Sequence, residues 1–204
     1  MKYLVLERRL KRMREVLERK QKDLILFMER VRNEHNFSAL IRTAEAVGIL
    51  EIYYGYEEGK KASINDAITL GAHRWVFIKE VQDVENTLKN LKKQGFQIIV
   101  TWLGEDTLDY REVDYTKPSV IVVGNELEGV SSRTLQLADA KVKIPMMGMV
   151  QSLNVSVATG IILYEAFRQR EKKGMYKKCQ LSEKEIEYIL YKWAYEDVLK
   201  ERKK

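Results

Sequence analysis

Ile144-Pro145-Met146-Met147-Gly148-Met149-Val150-Gln151-Ser152-Leu153-Asn154-Val155-Ser156-Val157-Ala158 joins a short apolar strand, Val142 to Ile144, to a helix read as Ser152 to Arg170. A helix start leaves backbone N–H groups unpaired and favours polar caps, and Ser152 and Asn154 sit at that opening. Met and Gly in the loop before it suit close wrapping of an apolar, flat ligand. An ordinary strand–turn–helix junction has the same look, so the neighbouring segments decide.

Strands and helices alternate outward from this junction. Four β-branched residues, Val120 to Val123, predict a buried strand, and the polar loop Gly124-Asn125-Glu126-Leu127-Glu128-Gly129 follows it. Further strands are expected at Leu24 to Met28, Ile49 to Tyr54, Trp75 to Ile78 and Phe96 to Leu103. Helices are expected from Asn36 to Val47, from the Ser63-Ile64-Asn65-Asp66 start, from Val84 to Lys93 before Gly95, and from Ser131 to Leu137. Leu6, Leu10, Met13 and Leu17 are spaced for an amphipathic N-terminal helix. Leu181 to Leu199 reads as a last helix, with Ser182 capping ahead of Glu185. This alternation predicts an α/β fold, a mostly parallel sheet with helices on both faces. In such a sheet a ligand site lies outside the C-terminal ends of the strands, where the Gly124 loop falls.

A chain of 204 residues holds one core with appended helices. The single Cys179 forms no internal disulfide, which suits a reducing cytoplasm. Two histidines make a His-rich metal site improbable, so no metal is expected. No apolar run approaches the ~18 residues of a membrane span. There is no GxG, hence no dinucleotide fingerprint and no P-loop, and no GxSxG elbow.

The net charge of +6 is unevenly spread. Residues 1–22 hold nine Lys/Arg and three Asp/Glu, residues 23–167 fifteen and twenty, and residues 168–204 twelve and seven. Two basic ends therefore flank an acidic middle. Clustered cations are the footprint of a polyanion partner, although solvated helix faces also carry charge runs. Arg8, Arg9, Lys11, Arg12 and Arg19 are the candidate nucleic-acid contacts of the N-terminal arm.

A third segment completes a pattern: Asn33-Glu34-His35-Asn36-Phe37-Ser38-Ala39-Leu40-Ile41-Arg42-Thr43-Ala44-Glu45-Ala46-Val47-Gly48. With the 120–131 and 144–158 segments, and with Tyr164-Glu165-Ala166 and Gly174-Met175-Tyr176 beyond them, it resembles the SPOUT methyltransferase superfamily. Within it, the likeness is to the TrmH branch of tRNA guanosine 2′-O-methyltransferases. The resemblance covers roughly residues 24–176.

The resemblance implies a core from 24 to 170, flanked by a basic helical arm (1–23) and a basic helical extension (171–204). It implies a deep trefoil knot over about 120–165, which no general rule of chain connection would predict. S-adenosylmethionine is the implied cofactor, cradled by Thr101, Leu103, Gly124, Ile144, Met149 and Leu153. Ile144 and Leu153 read equally well as core. The implied substrate is a ribose 2′-hydroxyl of guanosine in the D-loop of tRNA, position 18. An rRNA 2′-O-methyltransferase and a SPOUT RNA-binding protein without catalysis are the alternatives. The lack of a separate N-terminal substrate-binding domain favours tRNA.

Arg42, Asn36, Glu126, Ser152 and Asn154 are the catalytic positions the resemblance implies. A guanidinium keeps its proton above pH ~12, so Arg42 is better suited to clamping phosphate and stabilising an alkoxide than to acting as a base. On the residues alone it pairs with Glu45 on a helix surface. Asn36 caps its helix or positions substrate. Glu126 orients Arg42, binds the cofactor's amino group, or is a solvated loop acid. Ser152, Ser156 and Gly160 form a small-residue stripe that suits close approach of a partner helix, and the superfamily implies a homodimer. His35 reads as structural, and Tyr188, Tyr191, Trp193 and Tyr195 as core rather than base-stacking groups.

Overall fold

A computed structural model describes residues 6–56 and 61–196. Seven strands form one sheet: β1 (Gln21–Glu29), β2 (Ile49–Gly55), β3 (Phe77–Val81), β4 (Gln97–Thr101), β5 (Leu108–Asp109), β6 (Ser119–Val123) and β7 (Ala140–Lys143). Their order is β3-β2-β1-β6-β4-β7-β5, and every pairing is parallel. β6 lies between β1 and β4, which explains its unbroken apolar run: both its faces are covered.

Alternate residues of each central strand serve two layers. Leu24, Leu26, Met28, Ile99, Ile121 and Val123 pack under α2 (Glu34–Ala46) and α6 (Val155–Lys172). On the opposite face, Ile25, Phe27, Ile98, Val100, Val120 and Val122 pack under α4 (Val84–Lys93) and α5 (Ser132–Leu137). The expected architecture of a parallel sheet with helices on both faces is therefore present.

A third cluster sits at one end. α1 (Glu7–Leu17) turns Met13 and Leu17 inward against Ile186 and Ile189 of α7 (Glu183–Tyr191), together with Trp193. This pair covers Leu50 and Phe77, at the starts of β2 and β3, and Trp75 meets Trp193 edge-on at 5.2 Å. Arg14 bonds Glu183 at 2.5 Å, and Lys22 at the start of β1 bonds Glu185 at 2.5 Å. Glu185 also closes a capping box with Ser182. The Lys22 ammonium, with the N–H and hydroxyl of Ser182, holds the Glu185 carboxyl down to about 2. The terminal helices thus form a cap at the N-terminal ends of the strands.

Arg170 locks the same end. It is fully buried, and its guanidinium donates to the carbonyls of Tyr115, Lys117 and Asp23, to the side chain of Gln21, and to the Asp23 carboxylate at 2.5 Å. A buried charge this fully bonded avoids the cost an unpaired one would carry. Nearby, Lys20 is buried on the Ile49 carbonyl and Glu45, and its burial lowers its pKa.

Several expected boundaries move. β1 begins at Gln21, inside the segment expected to be arm, and α6 runs to Lys172 beyond the expected core limit of 170. Trp75 closes a short 3-10 turn, Ala72–Trp75, because it packs into the cap instead of extending β3. α6 opens at Val155 with Asn154 as its cap, so Ser152 lies in the loop before it. A residue outside the helix cannot share a helical stripe with Ser156 and Gly160, and a Cβ on Gly160 would meet Thr43 of α2 at 3.7 Å within the same chain. After α7 the chain makes one π-helical turn, Lys192–Glu196, and the expected helix residues 197–199 lie outside the described residues. Among the described residues no helix is long and apolar enough to cross a membrane.

Candidate active site

Loops leaving the C-terminal ends of β4, β6 and β7 enclose a cavity of about 540 Å³, within the range of nucleoside-sized ligand sites. Its walls are mostly apolar, with Val142, Ile144, Met146, Leu153 and Ile162 prominent. Thr101, Leu103 and Gly124 line it too, and so do Glu126, Ser152 and Asn154. Met149 does not: it is 99% exposed, and Met146, three residues earlier, takes the wall position.

The loop after β6 is held by backbone bonds. Asn125 and Gly129 pair in an antiparallel bridge, at 3.0 and 2.9 Å. The Asn125 side chain accepts from the Leu127 N–H at 2.8 Å and donates to the Arg30 carbonyl at 3.2 Å. Gly129 has φ +67°, and a Cβ on Gly124 would overlap the Gly129 carbonyl and the Val130 nitrogen. Only glycine lets the strand end pass so close to the returning loop. Arg30, itself at φ 58°, reaches under this loop to Glu128 and to the Gly129 carbonyl. A loop so pinned leaves polar groups at fixed places around an apolar cavity, which fits a bound nucleoside such as the adenosyl group of S-adenosylmethionine.

Two predicted side chains that line the cavity, Glu126 and Asn154, meet a third, Asn36, which does not line it. Asn33 caps α2 by accepting the Asn36 N–H at 3.0 Å, so Asn36 is not the cap; it stands one turn in, only 6% exposed. Its amide nitrogen donates to Glu126 at 2.5 Å, and its amide oxygen accepts from Asn154 at 3.0 Å. The Asn154 oxygen in turn caps α6 through the Ser156 N–H at 2.9 Å. The Asn36 amide therefore cannot flip without losing both partners, and one polar chain ties α2, the β6 loop and α6 together.

Arg42 stands apart. It is exposed, contacts the Ile68 carbonyl at 3.5 Å, and does not line the cavity. Six helical residues put it about 9 Å along α2 from Asn36 and on another face. Glu126 orients Asn36 rather than Arg42, and Glu45 bonds Lys20. His35 is exposed rather than built into the core. Of the arm cations, Arg8, Arg9, Lys11, Arg12 and Arg19 all face solvent, with Arg12 3.6 Å from Glu15.

Sequence reasoning missed Asn33, Trp102 and Arg30. The Asn33-x-x-Asn36 spacing is itself an N-cap signal, since a cap accepts from the third helical N–H. Trp102 also lines the cavity, and a Cβ on Gly129 would meet its indole at 3.3 Å; no local pattern announces that packing.

Residues 23–164 match the family model described as SpoU rRNA Methylase family, and residues 168–204 match SpoU, rRNA methylase, C-terminal. The chain is 64% identical to the tRNA (guanosine(18)-2'-O)-methyltransferase of Aquifex aeolicus, over 100% of this chain and 97% of that one. The crystal structure of the A. aeolicus TrmH/SpoU tRNA modifying enzyme superposes with a TM-score of 0.91, covering 96% of this chain and 99% of that chain. AviRb of Streptomyces viridochromogenes, a SpoU methyltransferase crystallised with the cofactor AdoMet, superposes at 0.66 with 26% identity, over 74% of this chain and 62% of that chain.

Proposed function

The chain belongs to the SpoU rRNA methylase family, and from its likeness to a tRNA-modifying enzyme we propose that it transfers a methyl group from S-adenosylmethionine to the ribose 2′-hydroxyl of guanosine 18 in the D-loop of tRNA. Identity of 64% across the full length to an enzyme named for that reaction is the observation that carries the reading. The cofactor supplies an electrophilic methyl group and departs as a neutral thioether. In the transfer an oxygen–carbon bond forms, the carbon–sulfur bond breaks, and the hydroxyl proton leaves.

This chain's residues divide the remaining work. Backbone groups of the three loops, with Thr101, Leu103, Gly124, Ile144 and Leu153, hold the cofactor and exclude water. Glu126 and Asn154, held together by the buried Asn36 amide, present a rigid polar mouth that orients the ribose, with Ser152 beside it. Arg42 holds its own proton at neutral pH, so it clamps the adjacent phosphate and stabilises the developing alkoxide, while a phosphate oxygen or water accepts the proton.

Arg42 lies outside its own chain's cavity; Leu127, which lines that cavity, is exposed, as are Met147, Met149 and Val150 in the segment between the lining residues Met146 and Ser152. Such a cluster of apolar side chains marks an interaction surface. A homodimer covers it and brings the partner's Arg42 to each site. The 120–165 segment forms the trefoil knot, supported by β6 entering between β1 and β4 before the chain turns back to lay α6 on α2. The exposed cations of α1 take tRNA phosphates, and the enzyme works in the cytoplasm, where tRNA resides.

The test is incubation with labelled S-adenosylmethionine and unmodified tRNA transcript, followed by nuclease digestion and mass spectrometry. A single 2′-O-methylguanosine at position 18 is the expected result. Label in ribosomal RNA alone would move the substrate, and cofactor binding without transfer to either RNA would leave a non-catalytic binder.

A further inference from the structure

We infer that the outer face of α7, carrying Tyr188 and Tyr191 between Lys184 and Lys192, is a stacking platform for unpaired tRNA bases at the end of the sheet opposite the cofactor cavity. The inference rests on the reading of the chain as a tRNA-modifying enzyme.

α7 needs only one face for the fold. Ile186 and Ile189 bury that face, while Tyr188 and Tyr191 point away from it, 58% and 64% exposed. Tyrosines at helical spacing usually join a core, and two large rings left in water on a helix already anchored by its other face call for an occupant. The Tyr191 ring sits 5.1 Å from Tyr195, and the Lys192 ammonium lies 4.9 Å over the Tyr188 ring. Lys184, exposed, precedes Tyr188 by one turn; Glu187 is the anion on the same side. The packed neighbour α1 presents Arg8, Arg9 and Lys11 to solvent. Rings flanked by cations match a polyanion with flat, unpaired bases: the π faces take bases of any sequence and the cations take the backbone.

Position specifies which part of the RNA is held. The cap covers strand N-terminal ends, and the cavity opens at strand C-terminal ends. β1 alone runs nine residues, about 30 Å at strand rise. Within one protomer, bases on the platform therefore lie remote from the nucleotide held at that protomer's own cavity. The platform strengthens binding without touching the reacting atoms.

The test compares wild type with Tyr188→Ala/Tyr191→Ala and Tyr188→Phe/Tyr191→Phe, using full-length tRNA and an isolated D-arm hairpin. The double alanine variant should raise KM and Kd for full-length tRNA about ten- to a hundredfold, with kcat on tRNA, Tm and hairpin methylation unchanged. The phenylalanine variant should behave as wild type, because the ring and not the hydroxyl does the stacking. Unchanged tRNA affinity in the alanine variant overturns the platform, as does a loss not rescued by phenylalanine, or a loss equal on tRNA and hairpin. A change in sedimentation that accompanies the loss would assign the face to a second copy and overturn it as well. Methylation by the wild type tests the enzyme reading separately, and filter binding of tRNA reads the platform whether or not transfer occurs.

Discussion

Gly124, at the C-terminal end of β6, and Arg170, beside the N-terminal end of β1, are both confined, for opposite reasons. Gly124 is fixed by what it lacks, since any Cβ would strike the loop that returns beside it. Arg170 is fixed by what it has, a fully buried guanidinium whose donors are spent on five acceptor atoms of four residues. One end of the sheet keeps backbone groups and space available for a ligand. The other fills its space with side chains and ion pairs. Changes at the first end should therefore read out in binding and catalysis, and changes at the second in stability and RNA affinity.

The sharpest break with that division would come from Arg170→Met. Removing the cation strands Asp23 and should cost about 3–5 kcal/mol of unfolding free energy in chemical denaturation. Cofactor affinity of the folded fraction should stay within twofold of wild type; a parallel loss of binding would show that the two ends are coupled. Gly124→Ala reverses the test. It should lower methyl transfer by about a hundredfold, the scale an ångström-sized misplacement costs in rate, with weakened S-adenosylmethionine binding in calorimetry. Asn36→Ala breaks the bonds to Glu126 and Asn154. Loss of a bond to a charged group is worth about 1.5–3 kcal/mol, so kcat/KM should fall roughly ten- to a hundredfold, with cofactor Kd nearly unchanged.

Smaller effects are expected at the cap. Arg8→Gln, Arg9→Gln and Lys11→Gln together should flatten the slope of log Kd for tRNA against log salt by about 2, three phosphates at ~0.7 each. Substitution is preferable to truncation of the arm, because Lys20 and Gln21 are built into the core. The mildest effect concerns pH. Glu185 has a folded pKa of about 2 against an ordinary 4.5, so its contribution is fully present above pH 4.5 and fades as pH falls towards 2. The Tm of Glu185→Gln should lie below that of wild type at neutral pH, and the two curves should converge across that acid window.

The same contrast explains what the sequence disclosed. α4 was expected at Val84 to Lys93 and is found there, because its apolar period and the Gly95 stop both act locally. β6 was legible because four β-branched residues in a row can be satisfied only by burial on both faces. The loops around the cavity were legible as loops, but not their curvature, so Met149 was expected where Met146 stands. Asn36 and Glu126 were both singled out, yet their bond crosses ninety positions of sequence, and nothing local selects Asn36 over Arg42 as the partner of that acid. Tyr188 and Tyr191 were expected inside because aromatic residues usually are, whereas α1 and Trp193 already fill that side of α7.

The insertion of β6 beside β1 also has a consequence in time. β1 ends at Glu29 and β6 begins at Ser119, so the ribosome must add some ninety residues before β1 receives its second neighbour. At roughly 5–20 residues per second, that interval lasts on the order of 5–20 seconds. Until β6 is made, β1, joined in turn by β2 and β3, carries an open strand edge along Leu24 to Met28, the kind of edge that templates aggregation. The later half of the sequence, by supplying β6, is what closes that edge.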